Sequence, residues 1–325
     1  MESILDVKNL KAYYYSKKKT IPAVDGVSFL LKRGEVLGIV GESGCGKSTV
    51  VKAMLGLLDK SYARIVDGEV LYKNHDLLRM TGKALREIRG KQISMIFQNA
   101  FSALNPVFTI GNQIIEILTI HERLGYKAAR ERAIELLHLV RMPSPEIRFN
   151  SYPHQFSGGM LQRVLIAIAI ACGPRILIAD EPTTALDVTI QAQILDLIRE
   201  LQSSLQMGII IITHNMGVVA EMCDNMMIMY GGVVVESGKC TDVFADPVHP
   251  YSYGLLASIP STTEDKEFLY SIAGQVPEFI HPVCHCRFAG RCEHTFERCR
   301  QSEPPLFQMS EDRFVRCWLV EKDAC

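Results

Sequence analysis

No stretch of this 325-residue chain approaches the roughly 18 consecutive apolar residues that a membrane-crossing helix requires. The longest candidate, Val164 to Cys172, stops at Gly173-Pro174. Any meeting with a bilayer is therefore expected to run through other proteins. Excess charge of one sign is missing as well. The chain has 35 Lys and Arg against 36 Asp and Glu, a formal net charge of −1, so neither nucleic acid nor an anionic membrane surface is an expected partner. The first ten residues mix Glu2, Asp6 and Lys8 with isolated apolar residues, unlike a secretory signal, and a cytosolic location is expected. Internal repeats and low-complexity segments are absent. So is the paired C-x2-C spacing usual in structural zinc sites, although there are ten cysteines. With 48% hydrophobic and 22% charged residues, the chain reads as globular, with room for one large domain or two.

What is present is sharper. Gly41-Glu42-Ser43-Gly44-Cys45-Gly46-Lys47-Ser48-Thr49 fits G-x-x-x-x-G-K-[ST] in full, between the apolar run Val36 to Val40 and a helix-like stretch from Val50 to Leu58. Strand, turn and helix are the context a phosphate-binding loop needs, and a chance glycine-rich turn would lack it. Gly41, Gly44 and Gly46 let successive N–H groups converge on phosphate oxygens, and a helix starting near Lys47 aims its positive end at them. Lys47 supplies a point charge for the β- and γ-phosphates, and the Ser48 hydroxyl is placed to hold Mg²⁺.

Alternating apolar runs and amphipathic helices predict an α/β sheet, in which ligands gather at the carboxyl ends of the strands. Besides Val36 to Val40, three runs end in useful groups: Ile93 to Phe97 in Gln98, Ile176 to Ala179 in Asp180-Glu181, and Ile209 to Thr213 in His214. Asp180 suits a Mg²⁺ role, while Glu181 can polarise the water that attacks a γ-phosphate or can be a solvated loop acid. Gln98 can ligate the metal and sense the γ-phosphate. His214 can donate to that phosphate and hold Glu181 and the water in line, or serve only the fold. Ser157-Gly158-Gly159-Met160-Leu161-Gln162 precedes the helical Arg163 to Ala171: Ser157 can cap this helix, and the glycines let another molecule's phosphate reach exposed N–H groups. An ordinary capped helix is the alternative.

In this combination the sequence resembles the ATP-binding cassette family, and in particular the ATPase subunits of bacterial dipeptide and oligopeptide importers. The resemblance to the cassette covers about residues 1–255. Its motifs fall in order: the Walker A loop Gly41 to Thr49, Gln98 as Q-loop, Phe156 to Arg163 as signature, Ile176 to Asp180 as Walker B, Glu181 as catalytic glutamate, Thr184-Ala185-Leu186-Asp187 as D-loop and His214 as switch histidine. The peptide-importer subfamily is suggested by Asp180 to Thr189, Tyr152-Pro153-His154-Gln155, His249-Pro250-Tyr251 and the C-terminal cysteines. Met160 replaces the commoner signature Gln, and Asn215 stands where Asp often follows the switch histidine.

The resemblance implies an α/β P-loop ABC ATPase core, with an inserted helical subdomain at about 101–163 and a small Cys-rich C-terminal extension over 256–325. It implies ATP and Mg²⁺, and a head-to-tail pair of cassettes in which Ser157, Gly158, Gly159, Gln162 and Asp187 serve a nucleotide held mainly by the partner. That partner is expected to be a paralogous ATPase subunit, with a homodimer as the alternative. Adenine is expected on Tyr14, within one residue along Tyr13-Tyr14-Tyr15, and Asn99 to Pro106 is expected to meet the coupling helices of two membrane permease subunits. A substrate-binding protein delivers cargo indirectly, and the subunit works at the cytoplasmic face of the membrane. The activity implied is ATP hydrolysis driving import of short peptides. A nickel complex or sugar as cargo, or a soluble redox-regulated ATPase, are the alternatives. Soluble cassette ATPases of DNA repair or translation carry a second cassette or strongly basic segments, which this chain lacks.

After Pro260 apolar runs thin out, prolines recur at 277, 282, 304 and 305, and a region of this size needs a staple. Cys286, Cys292, Cys299 and Cys317 follow C-x5-C-x6-C-x17-C, four thiolates for an iron–sulfur cluster or a zinc ion. Arg287, Arg291, Arg298, Arg300 and Arg316 lie beside them to offset a cluster's negative charge. The resemblance to dipeptide-importer tails implies a [4Fe-4S] cluster. Cys284 and Cys325 are expected to be free thiols, and Cys45, Cys172, Cys223 and Cys240 inert core residues. Because the tail cysteines lie outside every nucleotide motif, their site is expected to serve the tail and its partners, with little effect on ATP binding.

Overall fold

The computed structural model describes residues 2–16, 19–184, 186–259, 270–281 and 283–322. Ala185, Pro260, Pro282 and Cys325, named above, lie outside them. The chain divides into two compact units, Met1–Arg79 with Ile212–Cys325, and Met80–Ile211.

In the first unit, Ser3–Ser16 pairs antiparallel with both Lys19–Lys32 and Ala63–Tyr72. Leu5, Val7, Leu10 and Ala12 are buried, so one face of this sheet is closed by β-type alternation. Val36–Val40 is buried at all five positions and runs parallel to Asn225–Tyr230, as expected of a strand covered on both faces. Val233–Lys239 continues the sheet antiparallel to Asn225–Tyr230. The C-terminal region adds two more strands, since Arg313–Val315 pairs with Val233–Lys239 and Phe307–Ser310 with Arg313–Val315.

The tail is held by more than its cysteines. Phe288 is 4% exposed and packs its ring against Tyr230, Tyr251 and His249. The buried Arg287 bonds Asp25, Glu303 and the Gly231 carbonyl. The expectation of a region that needs a staple is thus corrected: it borrows the core of the unit it belongs to.

The second unit carries Ile93–Ile96 parallel to Ile176–Asp180. Its longer helices are Ile110–Glu122, Tyr126–Leu139, Gly158–Ile170 and Val188–Leu205. Among the described residues no helix is long and apolar enough to cross a membrane.

Candidate nucleotide site

Val36–Val40 delivers the chain into Gly41 with φ +150°, and a Cβ there would strike the Met229 carbonyl. Gly46 (φ +106°) is equally constrained by the Ala23 carbonyl, so both glycines are sterically required. The helix Lys47–Met54 begins at once. The Lys47 ammonium lies along the loop, donating to the carbonyls of Gly41 (2.7 Å) and Glu42 (3.0 Å). Ser43 and Gly44 are exposed, whereas Cys45 is buried, with its thiol pushed up by burial, and stays a protonated core group. Burial likewise raises the thiols of Cys172 (about 11), Cys223 and Cys240 (about 12), as expected for inert cysteines.

Strand alternation separates the three tyrosines. Tyr13 donates to Asp25 (2.9 Å) and Tyr15 lies under Arg64. Tyr14 alone reaches the phosphate loop, its hydroxyl 3.3 Å from the Thr49 hydroxyl. Its ring already stacks on Tyr62, at 5.9 Å between centroids, a residue that stands in no motif. His214 is exposed just beyond Gly208–Thr213, and the Asn215 side chain caps the next helix by accepting from the Gly217 N–H (2.9 Å). An Asp at this position would cap equally well, so the replacement keeps the cap.

In the other unit, Asp180 closes its strand at 4% exposure. Glu181 follows in the left-handed region (φ +49°), a strained backbone for a residue with a side chain and a frequent mark of functional sites. Its carboxylate oxygen accepts from the Gln98 amide (2.8 Å) and the Thr184 hydroxyl (2.9 Å). Gln98 therefore commits its donor end to Glu181, and only its amide oxygen suits a cation.

The signature helix departs from expectation in three ways. Ser157 stands at the N-cap position, yet its side chain makes no capping bond, so the expected cap is corrected. Gly158 and Gly159 also serve packing, since a Cβ on them would meet Leu186 at 3.3 Å and Ile190 at 2.6 Å. Gln162 is only 5% exposed and is not on the helix's open face, because one turn into the helix its side chain turns to the core. Asp187 caps Val188–Leu205 by accepting from the Ile190 N–H (2.9 Å).

In the tail, Cys286, Cys292, Cys299 and Cys317 line one small cavity with Ala289, Thr295 and Trp318. The Thr295 hydroxyl is buried there without a hydrogen-bond partner. Burial pushes the Cys286 thiol up to about 11 and Cys317 up to about 12. Among the described residues, however, no group of three or more His, Cys, Asp or Glu is arranged to hold a metal ion. Most of the flanking arginines are engaged elsewhere. Arg287 and Arg291 pair with Asp25, Glu303 and Glu42, Arg298 pairs with Glu321 over the Trp318 ring, and Arg316 donates to the Val234 and Pro304 carbonyls. Their expected role as counter-charges is corrected accordingly. Cys284 is exposed and does not line the cavity.

These features have close counterparts. The ABC transporter family matches residues 24–184, and the oligopeptide/dipeptide transporter C-terminal region matches 235–299. The oligopeptide transport ATP-binding protein AppD of Bacillus subtilis (strain 168) is 46% identical over 323 residues, covering 99% of this chain and 98% of its own. The dipeptide transport ATP-binding protein DppD of Haemophilus influenzae (strain ATCC 51907 / DSM 11121 / KW20 / Rd) is 47% identical over 315 residues, covering 97% and 95%. Among solved structures, the dimeric bacterial ABC transporter cassette MJ0796 aligns at TM-score 0.66 and 29% identity, over 73% of this chain and 98% of that one. Near-complete alignment at this identity, together with an intact phosphate loop and a matched C-terminal region, means that the chain belongs to the ABC transporter family, among the ATP-binding subunits of oligopeptide and dipeptide transporters.

Proposed function

We propose that the protein hydrolyses ATP to energise import of dipeptides or oligopeptides through separate membrane subunits. The observation that carries this is the complete phosphate loop, with Lys47 laid along it, in a chain whose curated relatives are peptide-transport subunits over nearly their whole length. In this reading Gly41, Ser43, Gly44, Cys45, Gly46, Lys47, Ser48 and Thr49 cradle the phosphates. Tyr14 meets the adenine, and Ser48, Gln98 and Asp180 attend Mg²⁺. Glu181 polarises water, with Gln98 and Thr184 fixing its carboxylate, and His214 senses the γ-phosphate. Ser157, Gly158, Gly159, Gln162 and Asp187 serve the nucleotide of a second cassette, Gln162 from its buried position. The MJ0796 structure, itself a dimer, supports such pairing, and the uncapped Ser157 hydroxyl suits it. A paralogous ATPase is the proposed partner.

The same reading divides the chain into a nucleotide-binding domain over 1–255, with a helical subdomain at about 101–163, and an extension over 256–325. It places the subunit at the cytoplasmic membrane face, bound through two permeases. Phe97, Phe101, Val107 and Phe108 are 45–71% exposed, an apolar group around Asn99 to Pro106 that suits docking of permease helices. The test is reconstitution with those permeases and the binding protein in vesicles. Labelled peptide is expected to accumulate only with ATP, and ATP hydrolysis without peptide accumulation would reject the cargo.

For the tail we propose a [4Fe-4S] cluster on Cys286, Cys292, Cys299 and Cys317, with zinc the alternative. Four sulfurs lining one cavity support it, and binding requires the raised thiols to lose their protons. Bound there, the cluster would link four cysteines of a region that its packing already holds. Protein purified without oxygen is expected to be brown, with about four irons and four sulfides per chain. Serine at any of the four positions is expected to bleach it. Colourless protein with one zinc, or with no metal, would reject the cluster.

A further inference from the structure

Glu42, the first variable residue of the phosphate loop, is held at three points. Its backbone N–H donates to the Tyr251 phenol oxygen (2.9 Å) and its carbonyl accepts from Lys47 (3.0 Å). Its carboxylate receives both arms of the Arg291 guanidinium, at 2.7 and 3.1 Å. Two of these three holds come from 209 and 249 positions downstream, from the C-terminal part of the chain. Arg291 neighbours Cys292 in sequence.

The grip is rigid. The Arg291 side chain is 6% exposed, and its remaining donors reach the carbonyls of Ala273 (2.9 Å) and Gly274 (3.2 Å). Its guanidinium lies 5.8 and 6.0 Å from the centroids of the Tyr230 and Phe288 rings. A two-armed Arg–carboxylate pair fixes direction as well as distance, here between a buried guanidinium and a partly exposed carboxylate. The Tyr251 ring is wholly buried against Tyr230 and Phe288, so its hydroxyl is a fixed acceptor. Because Lys47 rests on the Gly41 and Glu42 carbonyls, whatever fixes the Glu42 backbone also fixes the seat of the lysine.

We infer that Arg291 and Tyr251 are positioning residues for the phosphate loop, through which the C-terminal region sets how the loop presents its N–H groups and Lys47 to nucleotide phosphates. This rests on the reading of the loop as an ATP site. It runs against the expectation that the tail site has little effect on ATP binding, since Arg291, next to Cys292 in sequence, also grips the loop.

The experiment uses the full chain in its assembled transporter, with KM and kcat for MgATP measured for Arg291→Met, Glu42→Ala, the double variant and Tyr251→Phe. Arg291→Met is expected to raise KM roughly 5- to 20-fold, within the usual range for coupled sites, and to lower kcat less. Arg291→Lys is expected to restore part of the loss. The double variant is expected to match the worse single variant, because each substitution removes the same pair. Tyr251→Phe is expected to raise KM severalfold with the fold unchanged. Wild-type KM in Glu42→Ala, or a double variant whose KM is the product of the single effects, would overturn the inference. If Arg291→Met does not assemble, Glu42→Ala and Tyr251→Phe decide alone. Failure of the wild-type complex to hydrolyse ATP would instead strike the ATP-site reading itself.

Discussion

Replacing Glu181 with Gln is expected to leave MgATP bound while cutting turnover by roughly 10²- to 10⁴-fold, the usual contribution of a general base. The substitution is nearly isosteric. The Gln98 amide and Thr184 hydroxyl, at 2.8 and 2.9 Å from the Glu181 carboxylate, still find an acceptor in the amide oxygen of the replacement, so the local structure should hold. What disappears is the charge that draws a proton from water. The left-handed backbone at this position, φ +49°, does not depend on that charge and should also persist. Turnover by the assembled complex, measured beside nucleotide affinity, checks this. A variant that hydrolyses ATP at the wild-type rate would take the catalytic assignment away from Glu181.

Lys47→Ala is expected to act at the other stage and weaken nucleotide binding itself. A hydrogen bond to a charged group contributes about 1.5–3 kcal/mol, so losing the lysine's phosphate contact should weaken affinity roughly 10- to 150-fold. The alanine also leaves the Gly41 and Glu42 carbonyls without the ammonium that now bridges them at 2.7 and 3.0 Å, which loosens the loop further. Titration with a fluorescent ATP analogue separates this from a turnover defect. Wild-type affinity in Lys47→Ala would remove the phosphate-loop reading altogether.

The phosphate loop was legible because its chemistry is contiguous. Gly41 and Gly46 carry conformations that other residues avoid, and the buried strand before them is a plain apolar run. The strand ends at Gln98, Asp180 and His214 were legible for the same reason: a polar residue closing an apolar run is a local signal. Contiguity says less about where each side chain points. Gln162 stands within the signature motif, but side-chain direction on a helix changes by about 100° per residue, and this one is buried. Ser157 has the composition of a cap without the bond.

The arginines beside the cysteines read as counter-charges because sequence shows what adjoins a residue along the chain, not where a long side chain reaches. Arg291 reaches Glu42, 249 positions away. Neither member of that pair has a periodic or compositional signature, and nothing in His249-Pro250-Tyr251 points to the phosphate loop. Such joins between distant loops become visible only once the chain is folded.

The two short strands near the C-terminus also bear on how the molecule keeps to itself. Without them, Val233–Lys239, a seven-residue strand with Val233, Val234 and Val235 buried, would end its side of the sheet and offer unpaired backbone to any extended neighbour. Arg313–Val315 covers it, pairing at Glu236 and Ser237, and Phe307–Ser310 becomes the new margin. That margin is only four residues long, too short to be a good template for strand addition. The C-terminal region thus shields the protein from edge-to-edge association with other chains, a service independent of nucleotide, metal or cargo.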